Sequence, residues 1–501
     1  MNDRYDKDLQ SIQEARRCAE RAYEAYLAFA DASQDTVDRV CEAMTEAAIK
    51  EAARLGRMAY EETGFGRPDH KRIKNEFSAR NVWESIRDVP TVGVIRRDDA
   101  KGLVEIAWPV GVVAALSPST NPTSTVIFKT LIAVKARDAI VHAPHPSAVG
   151  ACTEAARVMA EAAERAGAPA GLVQSLSTIT LDGTQALMRH KRTSLILATG
   201  GSDMVRAAHS VGKPAFGVGP GNVPCYVDRS ADLAQAARYI VSSKAFDHSV
   251  ICSTEQAVVA DRPIADELRR LMQSEGAYFT SPAESDLLRK TLFHPNGSIN
   301  VGTVGKSPQV LAQMAGFAVP DEARTLVSPL DRVGPEEPLS REKLTTALGF
   351  FVADGWRAGC DRCIDLIHFG GRGHSLVIHA EDDDVIMAFG LEKPVFRILV
   401  NTLGSLGAIG YTTNVMPSMT LGPGGEGRSI TGDNITVYHM YDVKRMAFER
   451  HRPPPEVLRG QPVASRQPAG LGPTGNGGVD IDRIESMVVK ILHEIESERG
   501  N

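Results

Sequence analysis

Between residues 107 and 228 short apolar runs alternate with helical segments, and this alternation constrains the fold more than any other feature of the chain. The run WPVGVVAALSP reads as a strand over 109–117, followed by a helix in TSTVIFKTLIAVKAR and a strand in DAIVHAP. A long helix, SAVGACTEAARVMAEAAERAG, leads to strand-like LVQSLSTI and then to TSLILATGG, which ends in glycine. Near-continuous apolar strands are those buried on both faces. Strands joined through helices by short connections build a parallel sheet with helices on both sides.

The same texture resumes later. LGFFVAD, SLVIHA and VFRILVN read as strands with helices between them, which predicts a second α/β domain over 249–430. Residues 8–62 have helical apolar spacing, and TGDNITVYHMYDVKRMAFER reads as a terminal strand and helix. The expected division is 1–248, 249–430, a short element at 431–450, a linker at 451–478 and a helix at 479–499. The linker holds six Pro and six Gly in 28 residues and spans roughly 30 Å as a flexible coil. Beyond it, Ile481, Ile484, Val488, Ile491, Leu492 and Ile495 share one helical face, and Asp480 and Asp482 suit the helix N-terminus. A tethered amphipathic helix of this kind is expected to dock on a partner; folding back on the body is the alternative.

Composition narrows the function classes. A net charge of −6 offers no basic surface for nucleic acid. No apolar run is long enough for a membrane span, and the polar start MNDRYDKDLQ shows no secretory signal, so a cytoplasmic setting is expected. Seven cysteines without even spacing fit free thiols in a reducing compartment. Cys360 and Cys363 have metal-pair spacing, but no second pair accompanies them and the segment reads as one helix, so no metal is expected.

Several residues carry chemistry by type and position. Cys252, in AFDHSVICSTEQAVV, lies between an apolar helix (231–246) and a strand-like run, where a thiolate nucleophile is better placed than a core thiol. Asn121 follows the 109–117 strand in SPSTNP; it reads first as a turn residue before Pro122, and also as an amide donor to an oxyanion. Thr199, Gly200 and Gly201 open a helix and suit a phosphate, while the turn at 217–222 reads equally as plain turn chemistry. His374, in GGRGHSLVIH, is an acid–base candidate or a structural histidine.

Together the segments SPSTNPTSTVIFKTLIAVKARDAIVHAPHPSA, LILATGGSDMVRAAHSVGKPAFGVGPGNVPCYVD, SKAFDHSVICSTEQAVV and SREKLTTALGFF resemble the aldehyde dehydrogenase superfamily. More narrowly they resemble its CoA-acylating branch: the aldehyde dehydrogenase half of bifunctional alcohol/aldehyde dehydrogenases, and the propionaldehyde dehydrogenases of bacterial microcompartments. The resemblance covers about residues 10–450. It implies an α/β fold of two parallel-sheet domains, a Rossmann-like cofactor domain and a catalytic domain, plus a small oligomerisation element. Cys252 is then the nucleophile, Asn121 and the Cys252 backbone N–H form the oxyanion hole, and His374 is the acid–base group. Thr199, Gly200 and Gly201 face the cofactor pyrophosphate, Glu342 the nicotinamide ribose and His145 the adenosine ribose. Ser117, Pro118, Thr120, Gly219 and Leu344 complete the NAD site.

Hydrolytic relatives carry Glu-Leu-Gly-Gly-Lys, whose Glu activates water; here Val218 stands in that place. The resemblance therefore implies a thioester that waits for CoA, with a short-chain aldehyde as substrate. It also implies a homodimer or homotetramer, and a tail that directs the enzyme to a microcompartment shell, although many such tails are N-terminal. A hydrolytic dehydrogenase using Glu255 as base, and a catalytically silent scaffold, are the rival readings.

Overall fold

A computed structural model describes residues 6–454 and Val457. Three helices begin the described chain: Lys7–Phe29, Gln34–Thr63 and Pro68–Ile86. Asp6 and Ser33 cap the first two through side-chain bonds to Leu9 N and Thr36 N. Alanines 15, 19, 22 and 25 line the buried face of the first helix and permit close packing on the body. The second helix stops at Gly64, whose left-handed backbone (φ 67°) lets its N–H reach Tyr60 O.

Two parallel sheets follow, as the alternation predicts. The first runs Val173–Ser175, Ala139–Pro144, Val112–Ser117, Thr193–Thr199, Ala215–Val218 in spatial order. The chain enters at the middle strand, builds outward to one edge, then returns to build the other. Such a reversal leaves a crevice at the carboxyl ends of the two central strands, where ligands of open α/β sheets bind. The second sheet has seven parallel strands, in the order Ala277–Phe279, Thr325–Pro329, Ala347–Ala353, Glu255–Asp261, Val223–Val227, Leu376–His379, Ile398–Val400. Its centre supports the cysteine: Glu255–Asp261 begins three residues after Cys252 and is buried along its whole length.

Helix Pro122–Lys135 is buried on every side, against the first sheet and the N-terminal helices. Its nearly all-round apolar sequence suits that position. Lys129, fully buried within it, donates to Leu116 O (2.7 Å) and Leu197 O (2.9 Å), tying the two central strands together near the crevice.

Three expectations need correction. The 109–117 run is two elements: Leu103–Pro109 belongs to an antiparallel sheet with Val94–Asp98 and Tyr441–Ala447, and the parallel strand starts at Val112. The break falls at Gly111 (φ 113°), where a Cβ would lie 2.9 Å from Ser194 Oγ. Hydropathy could not show it, because both strands are apolar. No helix closes the 431–450 segment: a 3-10 turn at Val437–His439 precedes strand Tyr441–Ala447, whose partner strand imposes period-two alternation. Finally, the boundary placed at 248 falls late. Val223–Val227 pairs with Glu255–Asp261 and Leu376–His379, so the chain crosses between the parallel sheets at 219–222. Nearly all of the expected linker, and the whole of the expected helix 479–499, lie outside the described residues. Among the described residues no helix is long and apolar enough to cross a membrane.

Candidate active site

The crevice of the five-stranded sheet faces the turn that carries Cys252. A cavity of about 280 Å³ lies between them. Its walls include Pro118, Thr120 and Asn121 after the Val112–Ser117 strand, and Thr199, Gly200 and Gly201 after the neighbouring one. Gly219, Cys252, Glu342, Leu344 and His145 complete the expected set. Ser117 is the exception: it is buried outside the lining, and its hydroxyl has no hydrogen-bond partner.

His374 lies behind the cysteine instead of in the cavity wall. Its Nε2 is 3.2 Å from Cys252 Sγ, and its Nδ1 is 3.1 Å from Ser375 Oγ. Burial, followed by the charge of Arg397, draws the imidazole down to about 3, so it is neutral at neutral pH. Burial pushes the Cys252 thiol up to about 12, and Glu342 adds to the rise. Arg397 and the backbone N–H groups of Cys252 and Ser253 pull the other way, because they favour the thiolate. The resting pair is therefore a neutral thiol beside a neutral base.

Two neighbours went unread in the sequence. Arg397 is buried at the start of the last strand of the second sheet. It donates to Gly422 O (2.6 Å), Gly432 O (2.9 Å) and Ser375 Oγ (3.3 Å), so its charge sits within the His374 network. One arginine in the apolar VFRILVN was the available signal. Gly221 is the other: a Cβ there would stand 2.5 Å from Cys252 O and 2.9 Å from His374 Cγ. The glycine-rich turn at 217–222 is thus the crossover between sheets, and Gly221 leaves room for the Cys–His pair.

The Aldehyde dehydrogenase family model matches residues 6–281, more than half of the sequence. The chain belongs to the aldehyde dehydrogenase family. It is 41% identical over 414 residues to an aldehyde-alcohol dehydrogenase of Streptococcus pneumoniae, covering 81% of this chain and 47% of that protein. The chain thus spans about half the length of the curated relatives it first matches. An acetylating aldehyde dehydrogenase from Geobacillus thermoglucosidasius superposes with a TM-score of 0.89 at 49% identity, covering 90% of this chain and 99% of that one. A propionaldehyde dehydrogenase from the Clostridium phytofermentans fucose utilisation bacterial microcompartment gives 0.80 at 30% identity, over 87% and 97% of the two chains.

Aldehyde dehydrogenases work with a nicotinamide dinucleotide, and the cavity fits one. Gly201 caps helix Ser202–His209 without a side chain, so first-turn N–H groups face outward as an anion site. A Cβ on Gly201 or Gly219 would meet nothing within 4 Å, so packing within the protein does not require glycine at either place. Both leave open a space that a ligand backbone or phosphate fills. Glu342 accepts from Gly221 N at 3.0 Å, and burial lifts its carboxyl to about 7.

Val218, which the resemblance sets where hydrolytic aldehyde dehydrogenases carry their general base, has no titratable group. Val218 ends a strand of the first sheet, buried, with its side chain in the cavity wall. Glu255 is held elsewhere: one oxygen accepts from Gly404 N (2.7 Å), the other from Ser243 Oγ. Cys360 and Cys363 lie in helix Gly355–Phe369, and no metal-holding cluster occurs among the described residues.

Proposed function

We propose that this chain is a CoA-acylating aldehyde dehydrogenase that oxidises a short-chain aldehyde with NAD and releases acyl-CoA. The observation that carries this reading is Cys252, in a cavity walled by Val218, backed by the neutral His374 at 3.2 Å. Glu342 is the only carboxylate in that wall among the described residues, and it is anchored to Gly221 N. Phe65, Val250, Ile251, Ile409, Met419 and Leu421 make part of the wall apolar, which suits a small uncharged aldehyde. Among the described residues no Lys or Arg lines the cavity, and burial holds the His145 ring below its usual pKa, so none of them offers a 2′-phosphate a cation there. That favours NAD over NADP.

The chemistry follows from the residues. His374 Nε2 takes the Cys252 proton as Sγ bonds to the carbonyl carbon. The carbonyl electron pair moves to oxygen, where Asn121 Nδ2 and the Cys252 N–H donate; such donors are worth about 3 kcal/mol each. A nicotinamide dinucleotide held at Gly201, Gly219 and Glu342 would supply the acceptor for the hydride that leaves the carbon. Collapse of the oxyanion leaves a thioester on Cys252, and the His374 proton passes to solvent. Val218 cannot activate water, so the thioester persists until the CoA thiol gives its proton to His374 and attacks. The Cys252 sulfur leaves and is reprotonated by His374. The sum is aldehyde, NAD⁺ and CoA to acyl-CoA, NADH and a proton.

The microcompartment origin of one structural neighbour supports a shell-directed role for residues 452–501. The sheet of Val94–Asp98, Leu103–Pro109 and Tyr441–Ala447 has two outer edges that pair with no strand among the described residues, which supports its use between copies in a homodimer or homotetramer; sedimentation of the purified chain as a monomer would dismiss this. One assay addresses chemistry and tail. Full-length chain and a chain ending at His451 are each given propionaldehyde and NAD⁺, with and without CoA, and then mixed with assembled shell. Equal CoA-dependent rates and loss of shell co-sedimentation on truncation are expected. A CoA-independent rate giving propionate would overturn the acylating reading, and unchanged co-sedimentation would overturn the tail's role.

A further inference from the structure

Behind the cavity, helix Pro68–Ile86 contributes two buried lysines that the proposed chemistry does not use. Lys74 Nζ donates to Asn121 Oδ1 at 2.5 Å and also bonds Asp247, whose carboxylate is fully buried. Lys71 Nζ donates to Asp247 Oδ2 (3.2 Å) and to Thr120 O (3.1 Å). Burial alone would raise the Asp247 carboxyl, but the two lysines outweigh it and hold it below its usual value. Burial draws the Lys74 ammonium down to about 7, and Asp247 opposes that loss of charge.

Asp247 opens an unusual turn. Asp247, His248 and Ser249 all have left-handed backbones, with φ of 47°, 49° and 66°, immediately before Val250–Cys252. Side chains other than glycine resist that region, so the turn must be held by its surroundings. Helix Pro68–Ile86 and the residues before it do so. Arg67 N donates to Asp247 Oδ1 (2.6 Å), and Asp247 N donates to His70 Nδ1 (2.7 Å). His248 Nδ1 reaches Gly305 O at 3.0 Å. Gly66 lies so close that a Cβ would be 2.1 Å from Asp247 Oδ1.

The Asn121 amide is fixed by the same group. Its Nδ2 donates to Val250 O (2.9 Å) and lies 3.2 Å from Thr120 Oγ1. Val250 O can only accept and an ammonium can only donate, so Lys74 on one side and Val250 on the other permit one orientation of the amide. One N–H of Nδ2 is spent on Val250. The other can turn from Thr120 Oγ1 to a developing oxyanion.

We infer that Lys74, braced by Asp247, is a positioning residue that locks the Asn121 amide with Nδ2 toward the reacting oxygen and ties it to the turn carrying Cys252. The inference rests on the proposed acyl-transfer reading of this cavity. A hydrogen bond from an ammonium to Oδ1 also polarises the amide, which makes its N–H a stronger donor.

The test compares wild type with Lys74→Met, Asn121→Ala, the double variant and Lys71→Met, all with propionaldehyde, NAD⁺ and CoA. Lys74→Met is expected to lower kcat/KM for the aldehyde by about 10- to 100-fold, less than the roughly 10²- to 10³-fold of losing an oxyanion donor outright, because Asn121 itself remains. The double variant should be no slower than Asn121→Ala alone, because Lys74 acts through that amide. Alkylation of Cys252 by iodoacetamide, which forms no oxyanion, should keep its rate, whereas a collapsed site would change it. Lys71→Met, which leaves the Asn121 contact intact, should cost less than Lys74→Met. If Lys74→Met does not fold, Asp247→Asn is read by the same three measurements. A Lys74→Met rate within about threefold of wild type, multiplicative losses in the double variant, or a parallel fall in alkylation would each overturn the inference. If wild type makes no acyl-CoA and Asn121→Ala changes nothing, the reading of the cavity fails instead.

Discussion

Replacing Cys252 with alanine is expected to lower aldehyde oxidation at least about 10⁴-fold while NAD⁺ still binds with its normal affinity. Both covalent intermediates of the proposed cycle are carried on Sγ, and among the described residues no second nucleophile stands in its place. Glu342 is tied to Gly221 N, and the Ser253 side chain is buried within the second sheet's support, 3.5 Å from Ser405 O. The proposed cofactor contacts lie elsewhere, at the N-terminus of helix Ser202–His209 and at Gly219. Steady-state NADH formation and nucleotide titration by protein fluorescence read the two effects separately. Residual oxidation within about tenfold of wild type would remove Cys252 from the mechanism.

The second large effect is at His374. His374→Ala should reduce CoA-dependent turnover by about 10²- to 10³-fold near neutral pH, the usual range for loss of a general base. The pH profile should change shape as well. In the wild type the thiol gives its proton to a neutral imidazole whose acid transition is drawn down to about 3, so His374 contributes no limb at pH 6–7; a limb there belongs to Glu342, lifted to about 7, and persists in the variant. Without that base, the Cys252 thiol, pushed up to about 12, must ionise unaided. The variant's rate should then rise about tenfold per pH unit above neutrality, as the thiolate fraction does. A wild-type limb near pH 6.5 that His374→Ala removes, or parallel profiles for the two proteins, would contradict this account.

What the sequence could reveal follows from where its information is local. Apolar strands with helical connections are local patterns, so the first parallel sheet could be anticipated, as could helix Pro122–Lys135 and the glycine-opened helix Ser202–His209. Residues brought together through strand ends were legible through the resemblance: Cys252, Asn121, Thr199 and Glu342 do line one cavity. The pairing of Val223–Val227 with the second sheet was not legible, because an apolar strand does not name its partner. The same limit merged Leu103–Pro109 with the strand that follows. Lys71, Lys74 and Asp247 escaped notice for a related reason. Charges in a helix normally read as a solvated face, and only the three-dimensional return of the chain buries them 173 residues apart. Gly221 resembled turn chemistry because the atoms that exclude its Cβ, on Cys252 and His374, are remote in sequence.

The central claim is that the Cys252 thioester resists water and yields to CoA. Its most direct test is the intact mass of the protein after mixing with propionaldehyde and NAD⁺ in the absence of CoA. The account predicts one equivalent of NADH per site, a persistent propionyl adduct on Cys252, and discharge of that adduct as propionyl-CoA when CoA is added. Continued NADH formation without CoA, with unmodified protein and accumulating propionate, would contradict it and show that a base elsewhere brings water to the thioester despite Val218.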